Sequence, residues 1–322
     1  MNELARLRDL GEALDRGLRG PSQQLRQKVL TGIGQPRARA LRGHRWAALR
    51  GHRWAGWVAP LAAAAAVTAV VAGSAAVSSA IHGPEAIGGA SQGHGATAYV
   101  TNPGSGTVTP IRTATNTALP PVKTGPGPVA IAITPDGKTA YVVNNWSGTV
   151  TPIRTATNTS LPPIKVGPGS AGGPGGPVAI AIIPDGTTAY VVNSGSGTVT
   201  PIRTATNTAL PPIKVGRGPV AIAITPDGTT AYVASGLLGT VTRPGTVTPI
   251  RVATNTALAR IKVGGLPGPI AITPDGKTAY VVKDSFTPRG FSGTVVPIRT
   301  ATNTALSPVK VGRGASAIAI TP

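Results

Sequence analysis

The chain has 322 residues, 30 Lys or Arg against 10 Asp or Glu, a formal net charge of +20 and no cysteine. Without cysteine there is no disulfide framework, no thiolate metal site and no thiol nucleophile. The 43 glycines and 32 prolines favour turn-rich β structure or linkers over helical packing.

Residues 1–20 read MNELARLRDLGEALDRGLRG. Leu4, Leu7, Leu10, Leu14 and Leu18 recur at helical spacing among charges, which predicts an amphipathic helix that ends at Gly20-Pro21. The segment resembles the cytoplasmic heads of actinobacterial anti-sigma-factor-like single-pass membrane proteins. That resemblance implies a regulatory, protein-binding head; the plain alternative is a helix without a specific partner. A basic tract follows at 37–53 and contains RGHRWA twice. His44 and His52 stand eight apart, which is not ligand spacing on one helical face.

Trp46 and Trp54 among basic residues would suit nucleic acid. What comes next argues against it. Residues 57–81, WVAPLAAAAAVTAVVAGSAAVSSAI, carry no charge. As a helix they would span about 37 Å, enough to cross a bilayer. Residues 1–56 hold 12 Lys or Arg and 4 Asp or Glu, so the N-terminus is expected in the cytoplasm, with the tryptophans at the interface. The basic tract then meets anionic lipid rather than nucleic acid. Ser78-Ser79-Ala80 would serve as a cleavage site, but the long leader favours an uncleaved signal anchor. Residues 82–96 read as a flexible tether, and 97–322 are expected outside the membrane.

Residues 97–322 repeat one unit. The five tyrosines, Tyr99, Tyr141, Tyr190, Tyr232 and Tyr280, are spaced by 42, 49, 42 and 48 residues. That period with strand chemistry predicts an all-β fold, a β-propeller with one four-stranded sheet per repeat. In the second unit VAIAI at 129–133 is a first strand, apolar on both faces. TPDGKT turns the chain into TAYVVN at 139–144, then GTVTPIR at 148–154, and TATNT leads to LPPIKV at 161–166. The two prolines of LPPIKV suit an outer edge strand. Pro110, Pro152, Pro201, Pro249 and Pro297 fall inside third strands, where a missing N–H is unwelcome. A bulge there, or a briefly paired fourth strand, is expected.

AYVTN at 98–102, with AYVVN beginning at Ala140 and Ala189, resembles the YVTN-type β-propeller repeat family. The resemblance covers roughly 96–322 and implies a closed propeller, often at a cell surface. Relatives usually carry Asp after the third-strand Ile. Here Arg112, Arg154, Arg203, Arg251 and Arg299 stand there, which puts an acidic, cation-binding role in doubt. The repeats open on a second strand at 97–101 and reach a first strand at 317–320. Five blades closed by that C-terminal strand are the expected architecture; the rival takes 83–96 as a decayed first strand and 315–322 as the start of a missing sixth blade, the chain then being a fragment of a larger propeller.

Chemistry is sparse. Residues 97–322 contain no histidine, and Asp136, Asp185, Asp227 and Asp275 all sit in Pro-Asp-Gly turns, where Asp bonds its own backbone. Only Asp284 lies elsewhere. No acid–base pair or nucleophile–base pair is legible, so no catalytic, cofactor or metal residue is assigned. GPGSAGGPGGP at 167–177 lacks the Lys-Ser/Thr of a phosphate loop. Insertions relative to the 42-residue unit fall in fourth-to-first and second-to-third connections, which emerge at one end of an antiparallel blade. That end is the expected partner-binding face. It carries Trp146, Arg217, Leu237, Leu238, Arg243, Phe286, Arg289, Phe291 and Arg313. A protein or an anionic polymer would fit it; drift in tolerant loops is the bland alternative. The expected function is a membrane-anchored extracytoplasmic binding or scaffold module without catalysis. The alternatives are a hydrolase or lactonase-like propeller enzyme, and a sensor coupled to a cytoplasmic regulatory head.

Overall fold

A computed structural model describes residues 96–170, 175–236, 244–287 and 290–321, with backbone alone for 285–287 and 290–291. The expected N-terminal helix, basic tract, membrane segment at 57–81 and tether lie outside the described residues. Among the described residues no helix is long and apolar enough to cross a membrane.

The described chain is all-β, apart from one 3-10 turn at Val252–Thr254. Five antiparallel sheets follow one another in a propeller-like arrangement. The first holds β1 (Thr97–Asn102), β2 (Thr107–Arg112), β3 (Thr117–Ala118) and β4 (Val122–Lys123). The second holds β5 (Pro128–Ile133), β6 (Thr139–Asn144), β7 (Thr149–Arg154), β8 (Thr159–Ser160) and β9 (Ile164–Lys165). The third runs from β10 (Pro177–Ile182) through β11 (Thr188–Asn193) and β12 (Thr198–Arg203) to β13 (Thr208–Ala209) and β14 (Ile213–Lys214). The fourth runs from β15 (Pro219–Ile224) through β16 (Thr230–Ser235) and β17 (Thr246–Arg251) to β18 (Thr256–Ala257) and β19 (Ile261–Lys262). The fifth runs from β20 (Leu266–Ile272) through β21 (Thr278–Thr287) and β22 (Gly290–Arg299) to β23 (Thr304–Ala305) and β24 (Val309–Lys310).

Each fourth strand is split into two short pieces, and the third-strand proline explains the split. Tyr141 pairs with Pro152 in unbroken register between β6 and β7. The Pro152 carbonyl accepts the Leu161 N–H at 2.8 Å, so that residue's polar edge faces outward, away from β6. In an antiparallel ladder a residue's N–H and C=O point to the same side. The absent N–H therefore removes nothing from the β6–β7 ladder. Opposite it the outer strand breaks: the pairs Ile153↔Ser160 and Val150↔Ile164 leave two residues facing three. The expected brief pairing of the fourth strand is present, the expected bulge in the third strand is not, and all five sheets share the offset.

The turns at the other end are built from Asp and Asn. Asp136 accepts the Thr134 hydroxyl at 2.6 Å and the Lys138 N–H at 3.0 Å, which closes the Pro-Asp-Gly turn. In each TATNT turn an asparagine adopts the left-handed region: Asn116, Asn158, Asn207, Asn255 and Asn303 have φ of 51–53°. Glycine would fit that backbone as well. Asparagine has a second duty, because its side-chain oxygen accepts the tyrosine hydroxyl of the preceding sheet. Tyr99 reaches Asn158, Tyr141 reaches Asn207 and Tyr232 reaches Asn303, each at 2.7 Å; Tyr190 reaches Asn255 at 2.6 Å.

The core consists of seams between sheets. Ala130, Ala132, Tyr141 and Val143 of the second sheet cluster with Ile180, Ala189, Val191 and Ile202 of the third. The same grouping joins the third to the fourth, the fourth to the fifth and the first to the second. The Ala-Tyr dipeptide follows from this stacking. Successive side chains point to opposite faces, so Tyr141 fills one seam while Ala140 leaves room in the other.

Five sheets thus have four apolar seams among the described residues, and the expected closure by the C-terminal strand is not what forms. Residues 315–321 adopt no strand, and among the described residues β1 pairs with β2 alone. The two end faces are left uncovered. Val100 is 45% exposed where its equivalent Val142 is 0% exposed, and Val309 is 53% exposed where Ile164 is 8%. Among the described residues no apolar cluster joins the fifth sheet to the first.

Two tests follow from the tyrosine bonds. Asn207→Gly keeps the backbone but leaves the Tyr141 hydroxyl only its longer contact with the Thr204 carbonyl at 3.3 Å, and should destabilise the array by about 0.5–1.5 kcal/mol in urea unfolding. Asn207→Ala should cost more, because it also strains the left-handed turn. Burial, and then the nearby turn aspartate, push the Tyr141, Tyr190 and Tyr232 hydroxyls up to about 12. The folded chain holds these protons more tightly than the unfolded one. Their contribution to stability is complete below about pH 10 and is lost as pH rises towards 12. Absorbance titration at alkaline pH, with circular dichroism alongside, should show this late ionisation coupled to unfolding.

Candidate functional site

The second-to-third connections and the fourth-to-first connections do meet at one end of the array. Asn145 ties them together. Its amide donates to the Pro177 carbonyl at 2.9 Å, its backbone carbonyl accepts the Ser170 N–H at 3.3 Å, and its side-chain oxygen accepts the Ser170 hydroxyl at 2.5 Å. Both described ends of the glycine-rich insertion are therefore pinned to the loop after β6. Backbones approach so closely there that a Cβ on Gly169 would meet the Trp146 carbonyl oxygen, and one on Gly197 the Gly216 carbonyl oxygen.

Trp146 is 41% exposed on this end. Its ring lies over Gly127, whose Cβ, if present, would sit 2.5 Å from the indole. Gly127 also has φ of 66°, so both space and backbone call for glycine. Arg217 and Arg313 are exposed in fourth-to-first connections. Leu237, Leu238, Arg243 and Arg289 lie outside the described residues. Phe286 and Phe291 are not in a loop, as expected from the insertion: they are paired with each other in the extended β21–β22 hairpin. The added residues continue the ladder through Thr287↔Gly290, and β21 and β22 reach ten residues each where the equivalent strands have six.

Sequence reading missed one row of residues at this end. Asn144 and Asn193 close their second strands and are fully buried. Asn144 donates to the hydroxyls of Thr149 at 3.1 Å and Thr151 at 2.8 Å; Asn193 does the same to Thr198 at 3.2 Å and Thr200 at 2.9 Å, and also donates to the Val166 carbonyl. Among the described residues the side-chain oxygens of both asparagines, and the Ser235 hydroxyl, have no partner. The legible signal was an Asn followed at five and seven residues by Thr.

The opposite end holds the Pro-Asp-Gly and TATNT turns. Hydrogen bonds from Thr134, Thr225 and Thr273 lead in holding Asp136, Asp227 and Asp275 below the usual carboxylate range. A cavity of about 500 Å³ lies there between the fourth and fifth sheets, lined by Asp227, Asp275, Lys277, Thr300 and neighbouring turn residues. The expected binding end did not include it. Both carboxylates are committed to their own turns. Asp284, in β21, differs: burial raises its pKa, with the Gly314 N–H opposing.

Arg112, Arg154, Arg203, Arg251 and Arg299 are all exposed, one at the end of each third strand. Among the described residues the ion pairs are Lys138–Asp136 at 3.5 Å and Lys277–Asp275 at 3.7 Å, neither involving these arginines. Among the described residues no three His, Cys, Asp or Glu side chains come together as metal ligands would.

No protein-family model matches the chain, and no curated protein does. Solved structures do match. A hydrazine synthase from Kuenenia stuttgartiensis aligns over 68% of this chain with 26% identity and a TM-score of 0.60. A functionally unknown protein from Desulfotomaculum acetoxidans aligns over 66% of this chain with 22% identity and a TM-score of 0.54. The aligned part spans 64% and 66% of those chains, just under two thirds of each. The second likeness shows the fold alone. The first is to part of an enzyme.

Gly127→Ala tests the Trp146 seat. The variant should lose roughly 1–3 kcal/mol of stability through strain and overpacking, and Trp146 emission should shift to the red as the ring leaves its glycine.

Proposed function

We infer that the chain is a membrane-anchored, extracytoplasmic binding or scaffold protein that meets its partner at the loop end of the array and performs no chemistry there. The observation that carries this reading is Trp146. Its indole is seated on Gly127 beside a loop pinned by Asn145, and still offers 41% of its surface to solvent. A rigid aromatic with one face exposed suits a contact residue, because little side-chain freedom remains to be lost on binding. Arg217 and Arg313 add exposed cations on the same end. The anchor rests on sequence: 57–81 is charge-free and follows a basic flank.

The basic excess gives the partner its character. Residues 97–322 carry 18 Lys or Arg against 5 Asp, and Arg217 and Arg313 place part of that charge at the loop end. An anionic polymer, or a protein with an acidic face, would be drawn to such a surface.

The likeness to part of a hydrazine synthase favours a second reading, an enzyme. Residues 97–322 contain no histidine or cysteine, and the turn aspartates are engaged by their own backbones. General acid–base work needs a group poised to exchange a proton near working pH. This chemistry supports the binding reading over the catalytic one.

Binding of dextran sulfate and of acidic envelope proteins to the full chain tests the proposal. Trp146→Ala and Arg217→Ala should each weaken capture by about tenfold, and capture should fall as salt rises. Capture unchanged in both variants but lost in Arg154→Glu would move the binding surface to the opposite end and overturn the reading.

A further inference from the structure

The two ends of the array carry matching unmet demands. At every internal seam three things happen together. A first strand, which follows directly from the outer strand of the preceding sheet, pairs with a TAY strand, as β10 pairs with β11. The tyrosine of the preceding sheet donates to the asparagine of the next. The valine and alanine faces of the two sheets bury each other.

The first sheet lacks all three on its outward side. Among the described residues nothing pairs with the inner edge of β1, no tyrosine reaches Asn116, and Val100 is exposed. The far end offers the counterparts. Residues 315–320, ASAIAI, align with the first strands PVAIAI yet lie in no sheet. Tyr280 donates to no asparagine among the described residues, and Val309 and Val311 are 53% and 40% exposed.

We propose that two copies of this chain join head to tail, with residues 315–320 of one copy adding as the first strand to β1 of the next. The same docking presents Tyr280 of the first copy to Asn116 of the second and covers Val100. One rigid placement meets the three demands together because it reproduces the order of every internal seam: outer strand, first strand of the next sheet, tyrosine to the next asparagine. The occupant is a second copy because each end of the array already carries the sequence of the other end's partner. The contact is heterologous, so it builds rings or filaments rather than a two-fold dimer. Addition of a strand to an exposed edge supplies its main-chain hydrogen bonds.

Cysteine cross-linking tests this, since the chain has no native cysteine. Ala130 pairs with Val143 in the second sheet. The equivalent positions here are Ala317 and Thr101, so Ala317→Cys and Thr101→Cys should sit opposite each other, within disulfide reach. Full chains carrying one variant each, mixed and oxidised, should form a covalent dimer that neither forms alone. Adding Val100→Lys to the Thr101→Cys chain should slow the cross-link by about tenfold; Val100 is exposed, so the charge leaves the fold intact. Circular dichroism checks that every variant is folded. The proposal fails if the mixture stays monomeric. It also fails if a chain carrying both cysteines closes on itself at all dilutions, which would place the strand on its own β1.

Discussion

A hydroxyl donated from one sheet to an asparagine of the next is the contact on which this molecule depends. It fixes two things at once. It satisfies a polar atom at the rim of an apolar seam, and it locks the left-handed residue that reverses the chain in the following sheet. Each seam is therefore set by a side chain from one unit and a turn from another. Stability spreads along the array through nearest neighbours, as expected of a repeat protein. The seam packing obeys the same logic, with the tyrosine of one sheet clustered with the alanine of the next.

Much of this was legible in the sequence because it is periodic. Tyr, the Pro-Asp-Gly turn and TATNT recur in register, and each names a strand or a turn by its own chemistry. The third-strand proline was legible as a conflict, and the conflict resolves at the outer edge, where Leu161-Pro162-Pro163 already refuses a ladder. Ring closure was not legible. A strand motif at 317–320 says what the segment could pair with, not whether the step between sheets brings a partner within reach. The Phe286 and Phe291 positions were misplaced for a related reason: length added to a connection can continue a hairpin as easily as open a loop.

The candidate site divides the same way. The joining of the two connection types at one end follows from antiparallel order and holds in the structure. The seat of Trp146 does not follow from order, since it depends on Gly127, nineteen residues earlier in the sequence. The buried Asn144 and Asn193 were hidden by their place at a strand end, where asparagine normally reads as the start of a turn. Their Thr partners show instead that the first three sheets are stitched across their second and third strands by side chains as well as by backbone.

Because every seam uses the same tyrosine face, alanine face and asparagine turn, the units are interchangeable at the level of the gene. An in-frame duplication of one 42-residue segment would insert a sheet that already fits both of its new neighbours. Unequal recombination between such near-identical stretches would change the number of sheets without requiring compensating substitutions. The length of this array is thus a trait that selection can alter in whole steps, while the chemistry of each junction stays constant.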